Sequence, residues 1–285
     1  MTLGKSEIDR YFGRIGYGAA AVPTLAVLSD LLRHHVMSIP FENLDVLLGR
    51  PIRLDIGAVF DKLVGAGRGG YCFEQNGLFA AVLTTLGFAV TPLAARVRLG
   101  VPDGVPTAQT HMLLKVEVAG EAYIADVGFG GLNPTAPFLL EADREQPASH
   151  ETYRFVRHGA GYEMQANLSG SWAPLYRFTE EPPAGVDYEM ANWFVSTAPN
   201  SRFVQNLTVA RPAPDRRAVL LNDRLTIRRR DGQAEETTIA DMDGLGAVMA
   251  EHFGLDLFAI AGEDAANAIV ARHFQREAPA PGTAR

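Results

Sequence analysis

The sequence predicts a multidomain α+β protein with helices first, a β-sheet or barrel in the middle and a smaller α/β segment at the end. The first ninety residues place apolar side chains at helical spacing, whereas Val90 to about Thr179 shows short alternating runs separated by Gly, Pro and Asn. With 285 residues and 47% hydrophobic content, the chain can hold two or three domains. We therefore expect domains at 1–90, 91–185 and 186–285.

Three helical segments are expected ahead of the only cysteine. The first starts at Ser6 and runs through Tyr11, and the third runs from Ile56 to Val64. Between them lies a long apolar-periodic run, Thr24 to Met37. Pro40 stops the second segment and Gly65 closes the third, since proline and glycine commonly end helices. This part is predicted to form one helical domain.

The middle of the chain is predicted to form strands. The patterns are HMLLKVEV, AYIADV, TYRFVR and SWAPLYRF. The final part mixes the strand patterns RAVLL and RLTIRRR with two helical runs, LGAVMAEHF and AANAIVARHF. The triplet from Arg228 to Arg230 precedes Asp231-Gly232, a hairpin signal, so a solvated hairpin arm is expected there. The last residues, EAPAPGTAR, are expected to be disordered.

Composition excludes several classes of protein. The net charge is -7, so no overall positive field exists to attract nucleic acid or an anionic membrane. The N-terminus lacks the apolar core of a signal peptide and no stretch is long enough to span a bilayer, so we expect a cytoplasmic protein. No metal is expected, because one thiol cannot build a Cys-rich zinc site and no His-x-x-x-His pair or acidic cluster offers ligands.

Cys72 lies where a glycine-rich turn leads into a helical run that Gly87 stops. A thiol at a helix N-terminus meets unpaired N–H groups and the positive end of the helix dipole, which favour the thiolate form. A lone cysteine is more often a buried small hydrophobe. Four glycines from Gly65 to Gly70 favour a reactive and accessible thiol instead, because they permit a tight turn and close approach of a ligand.

A cysteine nucleophile needs a base, and His111 is the favoured candidate among seven histidines. The other six, including His34, His35 and His273, are interpreted as surface or capping residues. If Ala119-Gly120 forms a two-residue hairpin, His111 lies opposite Gly128, and Asp126 becomes its diagonal neighbour on the same face. On the pattern alone, the alternatives remain that His111 is a strand-end residue and Asp126 a turn former.

Taken together, these residues resemble the arylamine N-acetyltransferase family. The stretch RGGYCFEQN, from Arg68 to Asn76, is similar to that family's nucleophile signature. Further similar segments are IPFENLD, THMLLKV, YIADVGFGG and STAPNSRF, in the family's order and spacing over nearly the whole chain. The resemblance implies a helical bundle, a β-barrel and an α/β lid, with a cysteine-protease-like Cys-His-Asp core at Cys72, His111 and Asp126.

The same resemblance implies where substrates bind. Phe129 would line the acceptor pocket, with Phe41 and Tyr71 as further aromatic walls. Phe203 and the loop from Gly128 to Gly131 would lie near the acyl donor. The residues expected to bind substrate are Phe41, Tyr71, Phe129 and Phe203, and those expected to bind coenzyme A are Gly128, Gly130, Gly131 and Phe203. Glu42 and Arg68 resemble the family's structural ion pair, which makes an activating role for Arg68 less favoured.

The expected activity is therefore ping-pong transfer of an acetyl group from acetyl-coenzyme A to aromatic amines or hydrazines, through a cysteine thioester. The co-substrate is coenzyme A, and no nucleic-acid or membrane partner is expected. Three alternatives remain. One is a thiol hydrolase or transglutaminase-like enzyme with the same triad. Another is a synthase of the same fold that closes a macrocyclic amide, and the last is an inactive binding module.

Overall fold

The computed structural model of the chain describes residues 3–274. The predicted disordered tail lies outside the described residues. The chain forms an α+β fold that combines helices with a nearly closed eight-stranded sheet and a second, five-stranded sheet. No helix within residues 3–274 is long and apolar enough to cross a bilayer.

The N-terminal part is helical, as the apolar spacing predicts. Thr24 caps the second helix through a hydrogen bond that its side chain accepts from the backbone N–H of Val27, and Gly16 ends the first helix in the left-handed conformation. The helices are α1 (Lys5–Ile15), α2 (Leu25–Ser38), α3 (Leu44–Leu47), α4 (Ile56–Phe60) and α5 (Cys72–Thr85). A wide π-type turn, Asp61–Gly65, extends α4 to the glycine that was predicted to close it.

The first hydrophobic core lies among these helices. Its fully buried members include Tyr11 from α1, Leu31 from α2, and Phe79 and Val82 from α5. The core extends to strand residues such as Leu114 in the middle of the chain. The helix that begins with Cys72 is therefore held on one side by helices and on the other by the large sheet.

The middle of the chain forms the eight-stranded antiparallel sheet, in the order β5-β4-β3-β2-β9-β8-β7-β6. Its strands are β2 (Ala89–Val97), β3 (Gln109–Val118), β4 (Glu121–Ala125), β5 (Phe138–Leu139), β6 (Gln146–Pro147), β7 (Thr152–His158), β8 (Gly161–Leu168) and β9 (Ser171–Phe178). A second core fills its interior and includes Leu93, Leu113, Tyr153 and Met164. The strands predicted from alternation are all present.

The turn between β3 and β4 is a two-residue hairpin, as expected. Ala119 and Gly120 both have positive φ, 53° and 84°, and Val118 pairs with Glu121. Two positive φ values are the signature of the hairpin turn that matches strand twist. Leu114 pairs with Ala125, so the register is the one from which the neighbourhood of His111 and Asp126 was inferred.

The C-terminal part combines the five-stranded sheet with short helices. Its elements are α6 (Gly185–Thr197), α7 (Arg202–Gln205), β10 (Thr208–Pro212), β11 (Arg216–Leu221), β12 (Arg224–Arg229), β13 (Ala234–Thr238), α8 (Met242–Val248), α9 (Leu257–Ala261) and α10 (Glu263–His273). The arginine triplet lies at the exposed end of β12, where a turn leads to β13, as predicted for a hairpin arm.

One strand of the five-stranded sheet comes from the N-terminal part. β1 (Phe41–Glu42) pairs antiparallel with β10, and the side chain of Leu44 packs in the third core beside Leu207 and Val209. The segment that precedes the cysteine turn is thus fixed by the C-terminal part of the chain.

Candidate active site

Cys72 is the first residue of α5, at the end of a turn that accommodates only glycine. A Cβ on Gly69 would stand 2.1 Å from the Pro40 carbonyl oxygen, and one on Gly70 would stand 2.6 Å from a carboxylate oxygen of Glu74. The turn is therefore packed tightly against its surroundings. Cys72 is only 3% exposed, so the expectation of an accessible thiol is wrong for this closed arrangement.

The start of α5 favours negative charge. The Glu74 carboxylate accepts a hydrogen bond from the Tyr71 N–H at 3.0 Å, and the N–H groups of Cys72, Phe73 and Glu74 precede the first backbone bond of the helix, from Gln75 to Tyr71. N–H groups at the start of a helix stabilise negative charge near them.

His111 and Asp126 form a hydrogen-bonded pair beside this helix. Nε2 of His111 lies 2.7 Å from Oδ2 of Asp126, and both side chains are almost fully buried. Burial alone would lower the pKa of His111, but the charge of Asp126 and the hydrogen bonds to Asp126 and Cys72 raise it to about 10. Since Nε2 faces the carboxylate, Nδ1 is the ring nitrogen left for the thiol.

The thiol lies against the strand that carries this histidine. Sγ of Cys72 is 3.6 Å from the carbonyl oxygen of Thr110, the residue that precedes His111, and the nearby thiol contributes to the raised pKa of the imidazole. Cysteine, histidine and aspartate thus come together from α5, β3 and the end of β4. Side chains of these three types, so placed, can act as a nucleophile, a base and a group that orients the base.

Asn76 fixes the position of Asp126, and the sequence reasoning missed it. Its Nδ2 donates to Oδ1 of Asp126 at 3.0 Å and to the Met112 carbonyl at 2.7 Å, while its Oδ1 accepts from the Val127 N–H. Gly128 N–H also donates to the Asp126 carboxylate, at 2.9 Å. Burial would raise the pKa of Asp126, but His111 and these donors hold it below its usual value. The signal available in the sequence was the position of Asn76, four residues after Cys72 in the predicted helix.

The expected ion pair between Glu42 and Arg68 is present at 2.7 Å, within a larger buried network. Arg68 also bonds Asp45 at 2.8 Å, and Lys62 bridges Asp45 and Glu74 at 2.8 and 2.7 Å. The guanidinium of Arg68 therefore pairs with the carboxylates of Glu42 and Asp45, which agrees with a structural rather than an activating role. The network ties the cysteine turn to α3 and α5.

The loop that follows Asp126 packs directly on the cysteine. A Cβ on Gly128 would stand 2.6 Å from Cα of Cys72, and one on Gly130 would stand 3.5 Å from the ring of Phe41. Gly130 also has a φ of +76°. Gly131 lies against Val219 of β11. Gly128 and Gly130 are thus packed against Cys72 and Phe41. The contact of Gly128, Gly130 and Gly131 with coenzyme A stays a prediction.

The four aromatic residues predicted to bind substrate form two groups. Phe203 lies between Phe41 and Tyr71, with ring centroids 5.8 and 5.6 Å away. Phe129 instead packs edge-on to His111 at 5.2 Å and near Tyr176 at 5.1 Å. The loop that carries Phe129 also reaches the first group, because the Cβ position of Gly130 is in contact with Phe41.

Two further tyrosines near the site were not singled out from the sequence. The ring of Tyr176 lies 5.0 Å from His111 and is fully buried. Tyr188 on α6 packs on Phe73, the residue after the cysteine, at 5.9 Å. Burial raises the pKa of Tyr188 strongly, and the nearby Cys72 adds to this effect.

His35 is not the surface or capping residue that the sequence suggested. It is fully buried on α2, where Nδ1 meets the Tyr11 hydroxyl at 2.8 Å and Nε2 lies 2.7 Å from Oε1 of Gln75. Burial lowers its pKa to about 4, although the bond to Gln75 opposes this. His273 is also buried, on α10, and bonds the Gln205 carbonyl. Both ring nitrogens of His35 are thus engaged by Tyr11 and Gln75, and His111 remains the proposed base.

No cluster of His, Cys, Asp and Glu suited to a metal ion occurs among residues 3–274.

Comparison with known proteins gives a consistent match. The family model described as N-acetyltransferase matches residues 24–261. The arylamine N-acetyltransferase of Mycolicibacterium smegmatis is 43% identical over 262 residues, which cover 90% of this chain and 95% of that protein. The solved arylamine N-acetyltransferase of M. tuberculosis superposes with a TM-score of 0.88 at 42% identity and covers 92% of this chain and 99% of its own. That of Mycobacterium marinum in complex with CoA gives 0.90 at 40% identity, covering 94% and 99%.

Proposed function

The chain belongs to the arylamine N-acetyltransferase family, and from this premise we propose how its buried thiol carries out the reaction. The protein is an acyltransferase that moves an acetyl group from acetyl-coenzyme A to an aromatic amine. Acetyl-coenzyme A is a co-substrate that is consumed in each cycle. What we propose in addition is the route, the residues that carry each step and the walls of the acceptor pocket.

In the first half-reaction, the thiolate of Cys72 attacks the carbonyl carbon of acetyl-coenzyme A. A new C–S bond forms to the enzyme, the C–S bond to coenzyme A breaks, and the coenzyme A thiolate takes the proton of the His111 imidazolium. The raised pKa of His111 supports this step, because an imidazolium beside the sulfur stabilises the thiolate before substrate arrives. An acetyl-enzyme and free coenzyme A result.

In the second half-reaction, the nitrogen of the amine attacks the thioester. The neutral imidazole of His111 removes the proton from that nitrogen, and the C–S bond breaks to restore the thiolate and imidazolium. Asp126 holds the ring in one tautomer through its 2.7 Å bond to Nε2, so that Nδ1 stays directed to the reacting atoms. The N–H groups of Cys72 and Phe73 at the start of α5 are the proposed oxyanion donors.

The acceptor pocket is proposed to be aromatic. Phe129 beside His111, with Phe41, Tyr71 and Phe203 across the Gly130 loop, offers flat apolar faces near the thioester. Offset stacking on such rings favours planar aromatic amines and hydrazines without demanding one substitution pattern. Contact of coenzyme A with Gly128, Gly130, Gly131 and Phe203, and a lid role for the C-terminal part, belong to the same proposal. The cytoplasmic location stays a prediction.

The observation that carries the mechanism is the meeting of the buried His111–Asp126 pair with the thiol at the start of α5. The test is incubation with acetyl-coenzyme A alone, with thioester loss followed by absorbance. A ping-pong transferase releases one equivalent of coenzyme A per enzyme and then stops until an arylamine is added. Continuous release without amine would instead support the thiol hydrolase and contradict the proposal. Cys72→Ser is the matched control and should give no burst.

A further inference from the structure

Gln75 is fully buried on α5, three residues after the cysteine. Its side-chain nitrogen, Nε2, lies 2.8 Å from the carbonyl oxygen of Pro40 and 3.3 Å from that of Gly70, with the Ile39 carbonyl at 3.5 Å. Pro40 immediately precedes β1, and Gly70 is the second residue before Cys72. One amide therefore bonds both the turn that leads to the cysteine and the segment that packs on this turn.

The same two segments are also paired through their backbones. The Gly70 N–H donates to the Pro40 carbonyl at 3.4 Å, and the Glu42 N–H donates to the Gly70 carbonyl at 3.1 Å. A carbonyl oxygen has two lone pairs, so the Gln75 amide supplies a second donor to each of these oxygens. The packing is close here, because a Cβ on Gly69 would stand 2.1 Å from the Pro40 oxygen. A shift of this oxygen would therefore move the turn.

The two carbonyls determine the orientation of the Gln75 amide. Its oxygen, Oε1, lies 2.7 Å from Nε2 of His35. If the amide were reversed, Oε1 would face the carbonyl oxygens of Pro40 and Gly70 with no proton between them, and such contacts repel. The nitrogen therefore faces the backbone, and the oxygen accepts a hydrogen bond from the imidazole.

This orientation requires a proton on Nε2 of His35. The other ring nitrogen, Nδ1, lies 2.8 Å from the Tyr11 hydroxyl and accepts its hydrogen bond. Burial lowers the pKa of the imidazole to about 4, although the bond to Gln75 opposes this, so the ring is neutral near pH 7. The hydrogen bonds thus run in one direction, from the Tyr11 hydroxyl through the imidazole and the amide to the carbonyls of the turn.

We propose that Gln75, oriented by His35, is a positioning residue for the nucleophile. It fixes the backbone of Gly70 and thereby the place where Cys72 begins α5, with its sulfur against the Thr110 carbonyl. This inference rests on the proposed role of Cys72 as the nucleophile. A displacement of about 1 Å at a reacting atom can lower a rate about 10²-fold, so a side chain that fixes the turn affects the reaction through Cys72 alone.

Single-turnover acylation by acetyl-coenzyme A tests this in Gln75→Met, which keeps the length of the side chain and removes its hydrogen bonds. We expect the acylation rate constant at saturation to fall about 10- to 100-fold, while the KM for acetyl-coenzyme A stays within about twofold of the wild-type value. Thr85→Val is the matched control at the other end of α5. The Thr85 hydroxyl donates to the Ala81 carbonyl and accepts from the Leu3 N–H, so this variant also loses hydrogen bonds but leaves the turn intact.

The control separates position from stability. Both variants should melt at a lower temperature than wild-type protein, and Thr85→Val should acylate at the wild-type rate. If Gln75 has only a structural role, folded Gln75→Met acylates at the wild-type rate, and this result would overturn the proposal. A fall in rate of the same size in both variants would overturn it as well, because loss of stability would then account for the effect.

Nitrogen NMR of the wild-type protein tests the hydrogen-bond direction even if Gln75→Met does not fold. We expect the neutral His35 ring to carry its proton on Nε2. A proton on Nδ1 alone would require the amide nitrogen of Gln75 as the donor to the ring. That arrangement would remove this nitrogen from the carbonyls of Pro40 and Gly70 and would contradict the positioning role.

Failure of this inference can be told apart from failure of the mechanism. If wild-type protein forms no acetyl-enzyme, the proposed mechanism fails, and the NMR measurement still decides the direction of the hydrogen bonds. If wild-type protein forms the acetyl-enzyme and Gln75→Met forms it equally fast, only the positioning role of Gln75 fails.

Discussion

Asp126 is the residue on which the proposed chemistry depends most after the thiol itself. Its carboxylate accepts bonds from His111, Asn76 and the Gly128 N–H, so all of its charge is directed at one small region. In a buried site this charge interacts much more strongly with its partners than it would in water, because little solvent screens it. In the proposed mechanism, the aspartate both orients the imidazole and keeps it protonated before the acyl donor arrives.

Replacement of this carboxylate by an amide should therefore cripple catalysis while keeping the shape of the site. In Asp126→Asn, we expect kcat/KM for acetyl transfer to fall about 10²- to 10⁴-fold, the range expected when the group that orients a catalytic histidine loses its charge. Steady-state kinetics with a reference arylamine measures this. Asp30→Asn, the same change at an exposed aspartate on α2, is the control. Activity in Asp126→Asn equal to that of wild type would contradict the role assigned to the carboxylate.

The same pair makes stability depend on pH with a definite sign. The pKa of His111 is raised from 6.5 to about 10 in the folded chain, so its bond to Asp126 contributes fully below about pH 6.5. That contribution is lost as pH rises through about 10, because the unfolded histidine is already neutral there.

We expect the free energy of unfolding to fall more steeply between pH 7 and pH 10 in wild-type protein than in Asp126→Asn. Urea denaturation at each pH measures it, and the comparison cancels other groups that titrate in the same range. Parallel pH profiles for the two proteins would show that the pair does not stabilise the imidazolium.

The sequence predicts that His111 and Asp126 lie close together, but it does not predict the side chains that hold them in place. A two-residue turn fixes the β3–β4 register, so the proximity of His111 and Asp126 follows from local rules. The bonds of Asn76 depend on how α5 packs against β3 and β4, which no local pattern encodes. The same holds for His35, whose burial depends on Tyr11 and Gln75 from two other helices.

Among the elements, the loop after β4 is the one most constrained by close packing. Gly128 lies so near α5 that a Cβ would stand 2.6 Å from Cα of Cys72 and 2.7 Å from Nδ2 of Asn76. Backbone on one side and a buried amide on the other leave no flexible side chain to move away. The loop and the nucleophile helix therefore behave as one unit.

Gly128→Ala should disturb this unit. We expect a loss of stability of about 1–3 kcal/mol, as for other overpacked sites, and a loss of activity larger than the change in folding explains. Thermal unfolding and single-turnover acylation measure the two effects. Gly77→Ala, whose Cβ meets nothing within 4 Å, serves as the control. Gly104→Ala would be unsuitable, because Gly104 has a positive φ that alanine rarely adopts. Equal behaviour of the two variants would contradict the tight packing.

Helix α6 shows why one element escaped prediction. Its buried face includes Asn192, which bonds the Tyr71 hydroxyl and the Ile52 carbonyl, whereas Trp193 is 68% exposed. Asn192 shares the buried face with Val195, and with a polar residue inside and a tryptophan outside the apolar spacing gives no clear signal. By contrast, α2, α5 and the strands β3, β4, β7 and β9 follow ordinary periodicity and were predicted.

For the whole molecule, the decisive feature is that the cysteine turn is held by distant parts of the chain. Asn43 lies just ahead of α3, where its Nδ2 donates to the carbonyls of Phe203 and Asn206 and its Oδ1 accepts from the Thr208 N–H, all within 2.8 Å. Together with β1, this side chain joins the N-terminal helices to the five-stranded sheet. Such pairing between residues some 160 positions apart lies beyond the reach of local sequence patterns.

Removal of this link should weaken the molecule as a whole. We expect Asn43→Ala to lower the free energy of unfolding by about 2–4 kcal/mol, because three buried backbone groups lose their partner. Chemical denaturation measures the change. Arg33→Ala, which breaks only an exposed pair with Asp30, should cost less than about 0.5 kcal/mol. A cost for Asn43→Ala as small as that of the control would mean that the two parts of the chain are held together elsewhere.

In the proposed mechanism, one sulfur carries the acetyl group between the two substrates. Intact-mass spectrometry after treatment with acetyl-coenzyme A tests it directly, in wild-type protein and in Cys72→Ala. We predict one added acetyl group on the wild-type chain alone, and its complete loss when an arylamine is added. An acetyl group on Cys72→Ala, or arylamine acetylation by that variant at the wild-type rate, would contradict the account.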